Sequence, residues 1–358
     1  TSDGWRRNPV TKKRFTKPQS RMETSTQLQM VKTINGDENM LCPETKELAL
    51  LELREDEATR ENALEQMREW IKRNPRIEHC RSDPSFLLRF LRVKKFSLPM
   101  AQEALERYIL LRQCYGHAAF HNLDITLPEM DFLTNSGYLF AAPGRDKKGR
   151  RWIIARPGQF DPQKYKNVDM MKIHGIVYEA LMEDQESQVR GFVHFADGEG
   201  VNFPHLTLFT PKEAVRIVKN GERTMPMRHK EIHAINVPSS LKFALDFGMG
   251  LISEKIRKRV RIYTCLEEAE EFLEKKMLPK EYGGEMPMSE MIDLWKRELM
   301  QLRPQLLAND EMKVRLDMFS EAAKVGAISA LRAGANTNSC GTHTDNTLVG
   351  SFRKLQVD

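Results

Sequence analysis

The sequence predicts an α/β protein in two parts: a helical N-terminal module, then a mixed sheet of about five strands interleaved with helices. Three observations point there. Between residues 138 and 264, short apolar runs alternate with stretches whose apolar residues fall on helical spacing, as in a sheet crossed by helices. Residues 46–120 carry only helical periodicity amid dense charge. A chain of 358 residues is long enough for two domains and tails.

Residues 1–45 lack apolar periodicity and read as a disordered extension. From Lys46 to Asn74, Leu48, Leu51, Met67, Trp70 and Ile71 sit among charges, as in a solvated amphipathic helix or helix pair. Asp83 and Pro84 open a helix, the aspartate as cap and the proline in the first turn. A further helix runs from about Leu98 to Cys114, which completes the helical module at residues 46–120.

Tyr138–Ala142 and Arg151–Ala155 are strand-like and joined by a turn-rich connection, Gly144 to Gly149, so they form a hairpin. A helix over about 169–183 follows, then a strand at Gly191–Ala196. Thr210-Pro211-Lys212-Glu213 is a capping box with proline at the first helical position, a strong helix start. Strands at Glu231–Val237 and Val260–Thr264 flank an apolar helix. This second domain spans 121–300. Residues 301–358 hold a C-terminal helix and a flexible, small-residue tail from about Gly326, with a short terminal segment at Phe352–Val357.

Charge and cysteine usage narrow the function. Residues 1–21 hold seven basic residues against Asp3 alone, equal to the chain's whole formal charge of +6. From Met22, a candidate start, the protein is formally neutral, which argues against a nucleic-acid binder. The five cysteines are scattered without CxxC spacing, which argues for a reducing compartment and against disulfides or structural zinc. No apolar run is long enough for a transmembrane helix.

No motif promises catalysis. Asp197-Gly198-Glu199-Gly200 lacks the third glycine of a dinucleotide turn and reads as a structural turn. His117 and His121 are four apart, but no third metal ligand lies nearby. His174, His194 and His233 sit singly on apolar elements as core or pocket histidines. No catalytic triad order, nucleophile elbow or Walker loop is present, and no cofactor or metal is expected.

Residues 239–263 say most about function. Leu241, Phe243, Ala244, Leu245, Phe247, Met249, Leu251 and Ile252 form a helix with only a narrow polar stripe, Lys242 and Asp246. Such a helix must be buried or face something equally apolar. Gly248 and Gly250 are expected to break its last turn, as in a hinged flap. Lys255, Arg257, Lys258, Arg259 and Arg261 follow at once, with Lys255, Lys258 and Arg259 expected on one helical face. Together these features suggest a protein that handles a hydrophobic molecule at an anionic membrane surface.

Four motifs then resemble one family. Phe86-Leu87-Leu88-Arg89-Phe90-Leu91-Arg92 resembles the helical module of CRAL-TRIO lipid-binding proteins, and Leu278-Pro279-Lys280-Glu281-Tyr282-Gly283-Gly284 the segment that closes their α/β domain. Asp197-x-Glu199-Gly200 is similar to the turn after their central strand. Ile232-His233-x-Ile235-Asn236-x-Pro238 is similar to the strand before their gate. The likeness is greatest to the tocopherol-transfer, retinaldehyde-binding and clavesin branch. It implies a pocket closed by a mobile gate helix, residues 239–252. It also implies a phosphoinositide site at four basic positions, matched here by Lys94, Arg228, Lys255 and Arg259.

The expected function is thus a non-enzymatic, cytoplasmic carrier of a hydrophobic ligand of retinoid, tocopherol or carotenoid class. It would dock reversibly on phosphoinositide-containing endosomal or plasma membranes. Phe192, Phe195, Met227, Ile232, Leu241, Phe243, Leu245, Phe247 and Ile252 are the expected pocket and gate residues. Two other readings stay open: a membrane-recruited signalling or trafficking adaptor that senses a lipid without moving it, and a nucleotide-dependent oxidoreductase.

Overall fold

The computed structural model describes residues 41–324. Most of the expected extension and the tail from residue 325, with its Phe352–Val357 segment, lie outside the described residues, as does Met22. Residues 43–45 already belong to a helix.

The charged stretch after residue 43 forms two helices, α1 (Pro43–Leu53) and α2 (Glu57–Arg73). Arg54 ends α1 in the left-handed conformation, and Asp56 starts α2 by accepting the Thr59 amide at 2.7 Å. Strand β1 (Ile77–His79) precedes α3 (Pro84–Val93), which Asp83 caps through the Phe86 amide at 3.0 Å. Helix α4 (Leu98–Ala119) completes the module. Phe86, Phe90 and Tyr108 meet edge-on at its centre, with centroids 5.3–5.9 Å apart. Helix α5 (Pro128–Asn135) leads into the sheet.

The sheet has five strands in sequence order: β2 (Leu139–Ala141), β3 (Arg151–Ala155), β4 (Phe192–Asp197), β5 (His229–Ile235) and β6 (Val260–Ile262). The first two form the expected antiparallel hairpin, and the other pairs are parallel. Between β3 and β4 run α6 (Asn167–Met182) and α7 (Gln185–Arg190). Between β4 and β5 run α8 (Phe203–Leu206) and α9 (Pro211–Thr224). Between β5 and β6 run α10 (Lys242–Leu251) and α11 (Glu254–Arg257). Parallel crossovers are right-handed, so three successive steps in one direction place all these helices on one face. The ring contact of Tyr178 on α6 with His194 on β4 marks that face. Against the other face lies the closing segment, where Phe195 packs on Tyr282 at 5.1 Å.

The capping box forms as read: Thr210 Oγ1 accepts the Glu213 amide at 3.3 Å and Glu213 accepts the Thr210 amide at 2.8 Å. β5 ends two residues earlier than expected because Asn236 takes a left-handed φ of 52°.

After α12 (Leu266–Ala269) and the closing segment, α13 (Met288–Ala308) lies across α6 and β2. The chain then returns to the helical module, which the order of domains along the sequence does not reveal. Strand β7 (Lys313–Val314) pairs with β1, and Met312, Val314 and Phe319 join the core of α2, α3 and α4 ahead of α14 (Glu321–Lys324).

A buried ionic network joins the two parts. Arg89 and Glu179, both 0% exposed, pair at 3.1 Å. Arg89 also donates to Glu183 at 2.7 Å, and Tyr108 Oη donates to Glu179 at 2.6 Å. Arg81 adds a 2.7 Å pair to Glu183, and Arg92 grips Glu55 with two bonds of 2.7 and 2.9 Å. Removing Arg89 takes a cationic partner from both Glu179 and Glu183 in a dry interior. Arg89→Ala is therefore expected to cost about 3–5 kcal/mol. Lys72→Ala, which removes an exposed pair, should cost far less. Urea unfolding at neutral pH measures both, and equal costs would contradict this account of the network.

Candidate functional site

The central strands are buried unequally on their two faces. On β4, Val193, Phe195 and Asp197 are buried, whereas His194 and Ala196 keep accessible surface. On β5, His233 and Ile235 are buried, while Ile232 and Ala234 are not. Registered neighbours in parallel strands share a face, and His194, Ile232 and Val260 stand in one row. The accessible row lies under the crossover helices. Those helices are incompletely packed: Ala214, Val215, Ile217 and Val218 of α9 are half-buried, and no residue of α10 is buried. A central sheet face beneath helices keeps such surface only where it borders internal space.

Of the expected pocket residues, Ile232 lies on this face. Phe192 shares its alternation but is packed at 1% exposure, and Met227, just before β5, is buried at 5%. Phe195 stands on the opposite face against Tyr282, because strand alternation sends it away from His194.

The gate also departs from expectation. It is a short 3-10 turn, Ser239–Leu241, followed by α10. Leu241, Ala244, Leu245, Gly248, Met249 and Ile252 are buried or half-buried and recur on helical spacing, so they form the inner face. Phe243 and Phe247, one turn apart, point outward at 62% and 45% exposure. The expected break at the glycines is absent. The helix runs through Gly248 and Gly250 to Leu251, and a Cβ at either would meet nothing within 4 Å. The chain turns instead at Ile252, where ψ reaches 151°. Ser253 donates its amide to Glu222 of α9 at 2.8 Å, and Arg257 reaches back to the Met249 carbonyl at 3.0 Å, capping the gate helix with positive charge.

Arg228, Lys230, Lys255 and Arg259 form one electropositive group beside this turn. Burial and then the neighbouring Arg259, Arg228 and Lys95 lower the Lys255 pKa, while burial opposes charge on Arg228 and Lys230, and Arg259 adds to it. Glu52 of α1 faces the group, bonding Arg228 and, at 2.8 Å, Lys230. Burial works against the Glu52 carboxylate, but those two bonds hold its pKa below the usual range. The sequence reading missed Lys95, Lys230 and Glu52, although Lys95 and Lys230 adjoin the basic positions it named. Lys94 caps α3 and is half-buried. The shared helical face expected for Lys255, Lys258 and Arg259 does not form, because α11 ends at Arg257. Lys258 pairs with Glu254 in solvent at 2.8 Å, while the Arg259 guanidinium turns in to the His229 carbonyl.

Polar side chains line the internal face. Tyr138 Oη and His174 Nε2 are 3.1 Å apart, and His174 Nδ1 and Tyr178 Oη also 3.1 Å. His194 Nε2 lies 2.8 Å from His229 Nδ1. The i, i+4 spacing of His174 and Tyr178 was the legible signal for the first chain. Asp197, by contrast, is structural. It accepts the Glu199 amide and Asn236 Nδ2, each at 3.0 Å, and Tyr282 Oη at 2.6 Å, so three of the four recognised motifs meet at its carboxylate.

Among the described residues no helix is long and apolar enough to cross a membrane, and no group of three or more His, Cys, Asp or Glu side chains could hold a metal ion.

A helical module, a five-stranded mixed sheet and a two-sided gate helix over an accessible sheet face define a protein of the CRAL/TRIO class. Residues 135–284 match the CRAL/TRIO domain, and residues 56–130 match the Pinta-like, UBA domain. The chain thus carries a CRAL/TRIO domain and is similar in sequence to the clavesins. It is 28% identical to human Clavesin-2 over 285 residues, covering 79% of this chain and 85% of that protein. To Clavesin-1 of Xenopus laevis it is 29% identical over 261 residues, 73% and 78% of the two chains. The crystal structure of Sfh5 aligns over 71% of this chain and 99% of its own, at 12% identity and a TM-score of 0.48.

The buried histidines set a pH dependence. Burial lowers His174 and His229 from the ordinary 6.5 to about 4, with Arg259 adding to the effect at His229. The unfolded chain takes up protons that the folded chain refuses, so stability is whole above pH 6.5 and falls as pH drops toward 4. At pH 5 the loss should be on the order of 2 kcal/mol per histidine. Urea midpoints at pH 7.5 and 5 measure it, and His174→Gln should shrink the drop. A midpoint unchanged between those pH values would refute neutral burial.

Proposed function

We propose that this protein carries an uncharged hydrophobic molecule of retinoid, tocopherol or carotenoid class and releases it at phosphoinositide-containing membranes. The observation that carries the reading is the one-sided accessibility of β4 and β5 beneath helices that are themselves only half-buried. An apolar ligand of about 20 carbons gains on the order of 16 kcal/mol gross from leaving water, so release needs a state in which the open gate is favoured.

Phe243 and Phe247 on the outer face of α10 supply that bias. They are costly in water but favourable at the headgroup boundary of a bilayer. Lys255 and Arg259 bring mutually repelling positive charge to the same end of the gate, and an anionic headgroup relieves the repulsion. Arg257, bonded to the last turn of α10, links the two. Docking would be peripheral and reversible, on endosomal or plasma membranes, and the chemistry requires no enzymatic step.

Two tests follow. Lys255→Ala with Arg259→Ala should remove about 2 kcal/mol of binding to vesicles containing phosphatidylinositol bisphosphate, roughly thirtyfold, because each cation near such a surface contributes ~1 kcal/mol. Phe243→Asp with Phe247→Asp should impair docking and transfer of a fluorescent ligand while leaving its affinity in solution unchanged, since both rings point outward. Loss of solution affinity would instead place these rings in the pocket. Equal transfer rates with and without the phosphoinositide would sink the coupling and favour a carrier or lipid sensor that is not triggered by this membrane.

A further inference from the structure

The polar side chains on the internal face have hydrogen-bonding capacity left over. Tyr138 is 3% exposed and, among the described residues, its hydroxyl has one partner, His174 Nε2. If Tyr138 donates there, the neutral imidazole of His174 carries its proton on Nδ1 and donates to Tyr178 Oη. The Tyr178 proton is then free to donate, and Tyr178 is half-buried on the side of α6 that meets His194. The His194–His229 pair is equally incomplete. Two neutral imidazoles joined by one hydrogen bond, His194 Nε2 to His229 Nδ1, leave two ring nitrogens, one donor and one acceptor, whichever ring donates. When His194 Nε2 donates, His194 Nδ1 is the free acceptor. The Tyr178 and His194 rings stand edge-on with centroids 6.3 Å apart.

We propose that the ligand is recognised through a single uncharged hydroxyl that accepts the Tyr178 proton and donates to His194 Nδ1, with its apolar remainder under α9 and α10. The assignment rests on the pocket reading above and names the ligand chemistry that the pocket selects. With His194 Nδ1 as the acceptor, a carbonyl accepts from Tyr178 but offers nothing to the histidine. A hydrocarbon leaves both unmet, and a site built around hydrogen bonds discriminates against a ligand that lacks them. A carboxylate finds no cation among Tyr138, His174, Tyr178 and His194, since Arg259 beside them is turned to the His229 carbonyl, and the burial that keeps the histidines neutral also disfavours its charge. His174 and Tyr138 act as positioning residues: they orient Tyr178 without touching the ligand.

The test titrates the full chain, stripped of lipid, with retinol and with α-tocopherol, each against its O-methyl ether, by ligand fluorescence. At least one alcohol should bind about tenfold or more tightly than its ether, which keeps the acceptor oxygen but has no proton to give. Tyr178→Phe should weaken the alcohol by a similar factor. His194→Leu should bring alcohol and ether to equal affinity, and His194→Gln, which keeps an acceptor, should restore part of the difference. Alcohols and ethers binding equally well to the wild-type protein would overturn the hydroxyl assignment and leave the pocket standing. No binding of any of the four probes would count against the pocket reading itself, and the assignment would fall with it.

Discussion

The buried pairing of Arg89 with Glu179 and Glu183 is the constraint on which the two parts of this molecule depend. Helix α3 has apolar residues on almost every side, and its two arginines are fully buried. Phe86 and Phe90 fill the helical core, while Arg89 and Arg92 reach across to α6, α7 and Glu55. A charge in that position is tolerable only with every partner in place. Because Glu179 lies on α6 and Glu183 caps its C-terminus, the network also sets how that helix is rotated. Its other side then presents His174 and Tyr178 toward the sheet. The interdomain joint and the polar lining of the internal face are thus two sides of one helix.

The region around α10 shows how an apolar helix can be stable without being buried. Its inner stripe from Leu241 to Ile252 covers the sheet, and its outer aromatic pair faces away. A structural core helix would have both stripes packed. Here the ends are held instead, by Leu241 in the core, by Ser253 on Glu222 and by Arg257 on the Met249 carbonyl. Along the middle, its residues are half-buried or exposed. An element anchored at its ends and loosely packed along its length is the kind that opens at low cost.

The recognised motifs serve this arrangement as framework. Asp197, Asn236 and Tyr282 come from three of them and converge on one carboxylate, binding the ends of β4 and β5 to the closing segment. Gly284 permits that closure, since a Cβ there would lie 1.8 Å from the Leu278 carbonyl oxygen. None of these residues carries chemistry toward a ligand. Motif recognition located the frame of the site more securely than its lining.

What the sequence by itself determined was local. Asp83-Pro84 and Thr210-Pro211-x-Glu213 mark helix starts because a cap bonds within its own first turn. The five strands were legible because apolar runs bounded by turns need no distant information. Arg228, Lys255 and Arg259 are neighbours in the structure, and in the sequence only the resemblance linked them, since 27 residues separate the first two. Tertiary structure alone decided the rest. It placed Phe195 behind the sheet and Phe243 and Phe247 outside the gate, because a run rich in apolar residues does not say which side the core lies on. It brought Glu52 to Arg228 across 176 residues and paired His194 with His229 across 35. Such contacts depend on strand register and crossover handedness, which the whole chain sets and no short segment encodes.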